Sequence, residues 1–457
     1  MGTSSASTGV EPERVQELLT RERERFVANH PRSVEFRRAA AGSLLYGVPM
    51  NWMTRWASPT PIVVSGAHGA ELEDIDGHTY VDLCLGDTGA MAGHGPAPVV
   101  AAVSEQMSKG ATFMLPTEDA RWVGEEMARR FGMPYWQFCL TASDANRFVL
   151  RLARHITGRS KVVVHNWCYH GSVDETVATL DESGAVVPRE GSVGPSLDVR
   201  QSTRVVEIND IPALEKALAD EQVACVLVEP ALTNIGIVLP DPDYHAELRR
   251  ITKQTGTLLV IDETHTICAG PGGYTARHAL EPDLLTIGKT IGGGVPVAAY
   301  GVSEAVAAKI VEQTFWQEAD VGGIGGTLAG NALSLAATRA TLSEVLTGDA
   351  FERMEALAVR LCDGIESVIE ARQAPWHVTR LGCRAEYLFS PAMPRNGAEA
   401  AAAGDADLDG LIHLAMLNRG VVLTPFHNMA LMSPATTAEQ IDRHTEAFAE
   451  IVGDLLG

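Results

Sequence analysis

No C-x-x-C pair occurs in this chain of 457 residues. Its seven cysteines (Cys84, Cys139, Cys168, Cys225, Cys268, Cys362 and Cys383) are scattered and odd in number. That pattern argues against a disulfide framework and predicts free thiols in a reducing compartment. Metal-ligand spacing is also scarce: His265 and Cys268 stand three apart and no second such pair follows, so no metal site is expected. No apolar run reaches the length of a membrane span, and Met1 to Glu13 hold no apolar signal core. The cytoplasm is the expected location. Basic charge is in deficit, with 36 Lys and Arg against 58 Asp and Glu, a net charge of −22. This speaks against a general nucleic-acid or anionic-membrane surface. A G-x-G-x-x-G fingerprint is missing, which weakens a nicotinamide dehydrogenase reading.

The chain has an ordinary folded composition, 46% hydrophobic and 21% charged, and a length that fits two substantial domains. Residues 11–40 are charged, with Val15, Leu18 and Leu19 on one helical face, which predicts an amphipathic N-terminal helix. Asp76-Gly77 between Ala70–Ile75 and His78–Leu83 predicts a hairpin. From about residue 100, buried strands are expected at Lys161–His165, Val223–Val228, Thr257–Ile261 and Leu284–Ile287. Helices are expected at Val99–Lys109, Asp119–Phe131, Ala145–Thr157, Ile211–Asp220, Tyr244–Thr255 and Ala329–Leu346. Such alternation predicts an α/β fold, a mostly parallel central sheet flanked by helices, with ligands at the carboxyl ends of its strands. After about 350 the character changes. An Ala/Gly/Asp-rich stretch (397–410) reads as a surface excursion, and Thr436 with Glu439 predicts a capping box for the last helix.

Chemistry concentrates where apolar strands end. Lys289 follows Leu284-Leu285-Thr286-Ile287-Gly288 and enters a glycine-rich turn. A phosphate loop of Walker type is excluded, because Asp283 stands where its first glycine would be. A lysine at a buried strand end is suited to a Schiff base with a carbonyl, although a solvated loop lysine is the simpler reading of this stretch alone. Asp262 ends the run Val260-Ile261 and begins Asp262-Glu263-Thr264-His265. It lies 27 residues before Lys289, one strand–connection–strand unit away. Thr141-Ala142-Ser143-Asp144 opens a helix and reads either as an anion site or as plain N-capping by Ser143 or Asp144. Tyr169 and His170 follow another strand and suit either stacking on a planar ligand or loop packing. Glu229 directly follows Val228, and Gly322–Asn331 is a glycine-rich loop carrying Thr327.

Together, and in this order, these motifs resemble the class III, fold-type I aminotransferases that use pyridoxal 5′-phosphate (PLP). The resemblance is to the branch holding glutamate-1-semialdehyde aminomutase and the D-phenylglycine and β-phenylalanine aminotransferases. It covers roughly residues 60–340 and is less sharp beyond. It implies a large PLP-binding domain at 96–345 and a small α+β domain built from both chain ends, 1–95 and 346–457. It implies that Lys289 holds PLP through a Schiff base and that Asp262 pairs with the pyridinium nitrogen. Tyr169 would cover one ring face and Thr264 the other, with His265 and Asn234 near the phenolic oxygen. Ala142 and Ser143 would bind the phosphate, Glu229 would line the cofactor site, and Thr327 would reach the phosphate of a neighbouring subunit, which implies a homodimer. Ala142, Thr264 and His265 depart from the glycine, valine and glutamine or methionine usual at those places.

The function this implies is amino transfer from an amino acid or amine to a keto acid. The alternative is an aminomutase acting within one substrate. A PLP decarboxylase and a PLP-binding regulator are disfavoured, the latter because no basic helix-turn-helix segment accompanies the domain. Arg55, Arg384 and Arg395 are candidates for a substrate carboxylate clamp. Trp52, Trp56 and Trp316 are candidate apolar lining, and Asp87 a candidate acid beside the substrate.

Overall fold

The computed structural model describes residues 8–194, 198–313 and 322–457. They divide into two compact units, one formed by Ala97–Gly348 with Pro394–Ala401, the other by the chain up to Pro96 with Asp349–Met393 and Ala402–Gly457.

The first unit is built on seven strands: β1 (Tyr135–Cys139), β2 (Lys161–His165), β3 (Thr203–Val206), β4 (Val223–Val228), β5 (Leu258–Asp262), β6 (Leu284–Ile287) and β7 (Ala298–Val302). Their spatial order is β1-β7-β6-β5-β4-β2-β3. β2 to β6 pair in parallel, and β7 runs antiparallel to both of its neighbours. Every residue of β4, β5 and β6 is buried. That is why these strands are mostly apolar along their whole length rather than alternating. Each such side chain contributes about 1.5–3 kcal/mol by leaving water. Three strands, β1, β3 and β7, are absent from the strands read in the sequence. β1 and β3 are edge strands with partly exposed residues, and β7 is Ala-Ala-Tyr-Gly-Val, whose small residues carry little strand preference.

Helix Ala142–Thr157 crosses one face of this sheet. Thr141, rather than Ser143 or Asp144, is its N-cap, accepting from the Asp144 amide at 3.1 Å, and Gly158 ends it at φ +68°. The helix expected at Ala329–Leu346 is shorter, Ala332–Ala340, and continues as one π-turn, Thr341–Val345. The Ala/Gly/Asp-rich stretch 397–410 holds helix Gly397–Ala402 and the start of helix Ala406–Asn418, with several exposed residues but an inward-packed start. Ala400 is 1% exposed, and a Cβ on Gly397 would lie 2.5 Å from the Asn166 carbonyl oxygen.

In the second unit the N-terminal helical segment is two helices, Pro12–Asn29 and Pro31–Ala40. Pro31 starts the second because proline suits a first helical turn and cannot continue the one before it. The Asp76-Gly77 turn joins Glu71–Asp74 to Thr79–Asp82, with Gly77 at φ +93°. A second sheet pairs His377–Leu381, Arg384–Leu388 and Met429–Leu431. The last helix, Ala438–Leu456, carries its capping box one residue later than expected, on Thr437 and Gln440, because the Thr436 hydroxyl faces Ser433 instead.

Asp409 of this unit accepts from Asn428 Nδ2 at 2.7 Å. Burial pushes its carboxyl up to about 7 against the pull of that bond. The fold therefore favours the protonated acid, so stability falls as pH rises from the ordinary carboxyl range towards 7. Asp409→Asn is expected to stabilise the protein at pH 8 by on the order of 1–2 kcal/mol and to gain nothing at pH 4. Urea unfolding at the two pH values checks this.

Candidate active site

The parallel strands deliver their last residues to one edge of the sheet. Asp262 closes β5 and stands in register with Thr286 of β6, three residues before Lys289. Glu229 directly follows β4, and the segment 166–171 follows β2. The Asp262 carboxylate is 3% exposed. Its Oδ2 accepts from Asn146 Nδ2 at 2.8 Å and lies 2.9 Å from His170 Nδ1, and its Oδ1 accepts from the Thr264 amide at 3.0 Å. Burial alone would raise this carboxyl. His170, with bonds from Thr264 and Asn146, outweighs it and holds the group down at about 2. His170 moves the other way: burial opposes its charge, but the Cys168 sulfur and the Asp262 carboxylate raise it well above the ordinary imidazole value. Both shifts favour the ionised pair, a protonated imidazole beside a carboxylate.

Asn146 fixes this carboxylate in place. Its two donors go to Asp262 and to the His170 carbonyl at 3.1 Å, and its oxygen accepts from the Thr286 hydroxyl at 2.7 Å. A buried amide so committed has one orientation. Neither Asn146 nor Thr286 stands out in the sequence as a site residue. The available signal is a polar residue on the apolar face of Ala145, Val149, Leu152 and Ala153, and a threonine inside a fully buried strand.

Glu229 is 2% exposed and accepts from the Tyr169 amide at 3.2 Å and from the Thr233 hydroxyl. Burial raises its carboxyl, with His170, Thr233 and Tyr169 pulling it down. Glu263, next to Asp262, is consumed by its own loop, accepting from the Thr266 hydroxyl and the Tyr274 amide at 3.0 Å. Lys289 opens the short turn Lys289–Gly292 at φ +55°, and its Nζ lies 2.8 Å from His265 Nε2.

The helix start lies against this lysine. A Cβ on Gly288 would come 3.0 Å from the Ala142 Cβ and 3.2 Å from its amide nitrogen. Gly171, at φ +81°, leaves no space either: a Cβ there would meet Ser143 Oγ at 2.0 Å. Ser143 Oγ accepts from the Ser172 amide at 3.0 Å. Two glycines therefore let backbone approach the amides of the helix N-terminus, where the helix dipole favours an anion.

Asp262 is bonded to the Thr264 amide, Glu229 to the Tyr169 amide and Lys289 to His265, and Ala142 and Ser143 lie against Gly288 and Gly171. Asn234 is half-buried in the turn between Leu232 and Val238, and Thr327 is exposed in a turn; neither is tied to the cluster by the bonds described here.

The candidate substrate residues fare differently. Arg384 is fully buried and lies 3.4 Å from Glu386, and Arg395 pairs with Asp241 at 2.6 Å. Arg55 is exposed. Trp52 packs edge-on to Phe426 at 5.6 Å, Trp56 is half-buried, and Trp316 lies outside the described residues. Asp87 sits in a turn where Leu85, Asp87 and Thr88 all have positive φ, a conformation that costs about 1–3 kcal/mol per residue.

One group in the second unit, His30, Asp74 and His78, has the donor atoms of a metal site. Both His30 nitrogens are engaged within the protein, Nδ1 at 2.8 Å from the Phe26 carbonyl and Nε2 at 2.7 Å from the Tyr80 hydroxyl.

The donor set suits PLP. It offers an ionised carboxylate for a protonated ring nitrogen, an amine for a carbonyl carbon, and a glycine-lined helix start for a phosphate. Comparison with known proteins agrees. Residues 52–452 match the model of the class-III aminotransferases. A glutamate-1-semialdehyde aminomutase from Pseudomonas aeruginosa PAO1, solved as a lysine-to-alanine variant in complex with PMP, superposes with a TM-score of 0.95 at 49% identity, covering 98% of this chain and 100% of that one. A glutamate-1-semialdehyde 2,1-aminomutase of Desulfitobacterium hafniense is 33% identical over 86% of this chain and 91% of its own length. A β-phenylalanine aminotransferase from Variovorax paradoxus superposes with a TM-score of 0.84 at 27% identity, covering 96% of this chain and 97% of that one.

Proposed function

The chain belongs to the class III aminotransferases, PLP-dependent enzymes of fold type I, and from that membership we propose that it moves an amino group within one substrate, as glutamate-1-semialdehyde aminomutases do. The observation that carries this reading is the 49% identity, over 98% of the chain, to an enzyme of that name. The main expectation from sequence, transfer between two substrates, becomes the second reading. It is favoured by the likeness to the β-phenylalanine aminotransferase.

When bound, PLP supplies an electrophilic carbonyl carbon and an electron-withdrawing ring. Asp262 would hold the ring nitrogen, with Tyr169 and Thr264 on the two faces. Ala142 and Ser143 would hold the phosphate at the helix start, Glu229 would support Tyr169, and Asn234 and His265 would face the phenolic oxygen. Thr327 would reach in from a second copy of the chain. Lys289 Nζ has two tasks. It would bond the cofactor's carbonyl carbon in the resting enzyme, and as a free amine it would take a proton from the substrate carbon and return it elsewhere. His170 acts behind Asp262. Protonated, it would favour the ionised carboxylate against the effect of burial.

The two readings separate in one assay. PLP-loaded enzyme given glutamate 1-semialdehyde alone is expected to isomerise it with no keto acid added. Turnover that starts only with a second carbonyl compound, and consumes it one for one, overturns the aminomutase reading in favour of transfer.

A further inference from the structure

The Lys289–His265 contact, 2.8 Å between Nζ and Nε2, is not accounted for by the roles assigned above. His265 is 8% exposed, at the start of the short turn that follows Asp262-Glu263-Thr264, so its ring is held by the protein rather than by solvent. Lys289 sits in a left-handed conformation that favours glycine, which fixes where its side chain departs from the backbone. Two nitrogen bases meet here, and both cannot carry a proton at once without placing like charges in contact. The imidazole tautomer decides which of them donates: with its proton on Nδ1, Nε2 accepts an N–H of the amine.

We propose that His265 is a positioning residue for Lys289, its Nε2 accepting one N–H of Nζ and so aiming the lone pair of the amine. To attack a carbonyl carbon, Nζ must be a neutral amine. A neutral amine has two N–H bonds and one lone pair. An acceptor beside it restrains the nitrogen through an N–H and leaves the lone pair open for the cofactor carbon or the substrate proton. A donor in the same place would occupy that lone pair. The step assisted is attack of Nζ on the cofactor carbonyl, in which an N–C bond forms and the carbonyl oxygen leaves as water. His265 is neither consumed nor oxidised in it. This inference rests on the reading that Lys289 bonds PLP.

The test separates bonding from binding. The rate at which PLP joins the lysine would be followed by its visible absorbance, and the affinity for pyridoxamine phosphate, which has no carbonyl and does not bond the lysine, by equilibrium dialysis. His265→Leu and His265→Ala remove the acceptor, and His265→Gln keeps one. Removing the acceptor is expected to slow bond formation about tenfold, the weight of one hydrogen bond. The glutamine variant is expected to recover most of the rate. In the acceptor-free variants the rate is expected to fall by more than the pyridoxamine phosphate affinity, which carries only the contact of His265 with the phenolic oxygen. Each variant is first melted beside the parent, and either acceptor-free variant that folds suffices. Unchanged rates in the acceptor-free variants overturn the proposal. A loss of pyridoxamine phosphate affinity as large as the loss of rate also overturns it, because His265 would then act through the cofactor alone. Failure of the parent protein to bond PLP at all would instead remove the reading of Lys289 on which the proposal rests.

Discussion

Lys289→Ala is expected to abolish the covalent bond to PLP and to lower turnover by about 10³-fold or more, since one side chain carries both the nucleophilic and the proton-transfer roles. The direct measurement is borohydride reduction of the PLP-loaded protein followed by peptide mass analysis. The parent should carry the reduced cofactor on the peptide containing Lys289, and the variant should carry none. The variant should still bind PLP without a covalent bond, because Asp262 and the helix start at Ala142 and Ser143 are untouched. A label on another lysine, or normal turnover by the variant, would remove Lys289 from this role.

Asp262→Ala has the second large expected effect, and it appears in stability as well as chemistry. The substitution leaves His170 buried with its partner carboxylate gone. Breaking one side of a buried pair costs about 3–5 kcal/mol. The pH dependence follows from the two shifts. Asp262 is depressed on folding, so its contribution is present above the unfolded carboxyl value, about 3.9, and is lost as pH falls through about 2. His170 is raised on folding. Its contribution is complete below the unfolded imidazole value, about 6.5, and is lost as pH rises through its higher folded value. Cofactor-free parent and Asp262→Ala should therefore differ most in urea unfolding between about pH 4 and 6.5, with the gap narrowing on both sides. A gap that stays constant from pH 3 to pH 9 would mean that the two groups are not an ion pair. Asp262→Asn keeps the shape but drops the same charge, so it should lose activity in the loaded enzyme and show the same pH-dependent loss of stability, without the added cost of a cavity.

Much of the cluster was legible in sequence because it lies at ends of strands that are buried on both faces. Burial makes β4, β5 and β6 mostly apolar, so the charged residue at or just past the end of each stands out: Glu229, Asp262 and, past one glycine, Lys289. A reading by pattern placed Asp262 just beyond its strand, whereas it is the last paired residue. The same rule fails for β7, whose Ala-Ala-Tyr-Gly-Val is small rather than β-branched, and at the sheet edges, where β1 and β3 are only partly covered. Capping failed by small offsets. Thr141 and Thr437 cap helices where neighbouring residues of the same chemistry, Ser143 and Thr436, fit a local pattern equally well. A cap is decided by which hydroxyl meets the free amide, and that depends on how the preceding strand or loop arrives.

The sequence by itself determined the fold class, the order of the strand ends and the residue types gathered there, because buried strands and glycine turns have one-dimensional signatures. Only the tertiary structure decided what those residues touch. Asn146, His170 and Thr286 come from a helix, a loop and a strand, and they converge on Asp262 because the parallel sheet stacks three connections at one edge. Arg384 looked like a carboxylate clamp until its strand put it fully inside the second unit beside Glu386. Lys289 was prominent from the start, but that its amine meets His265 follows from the pairing of β5 with β6, which no local spacing encodes.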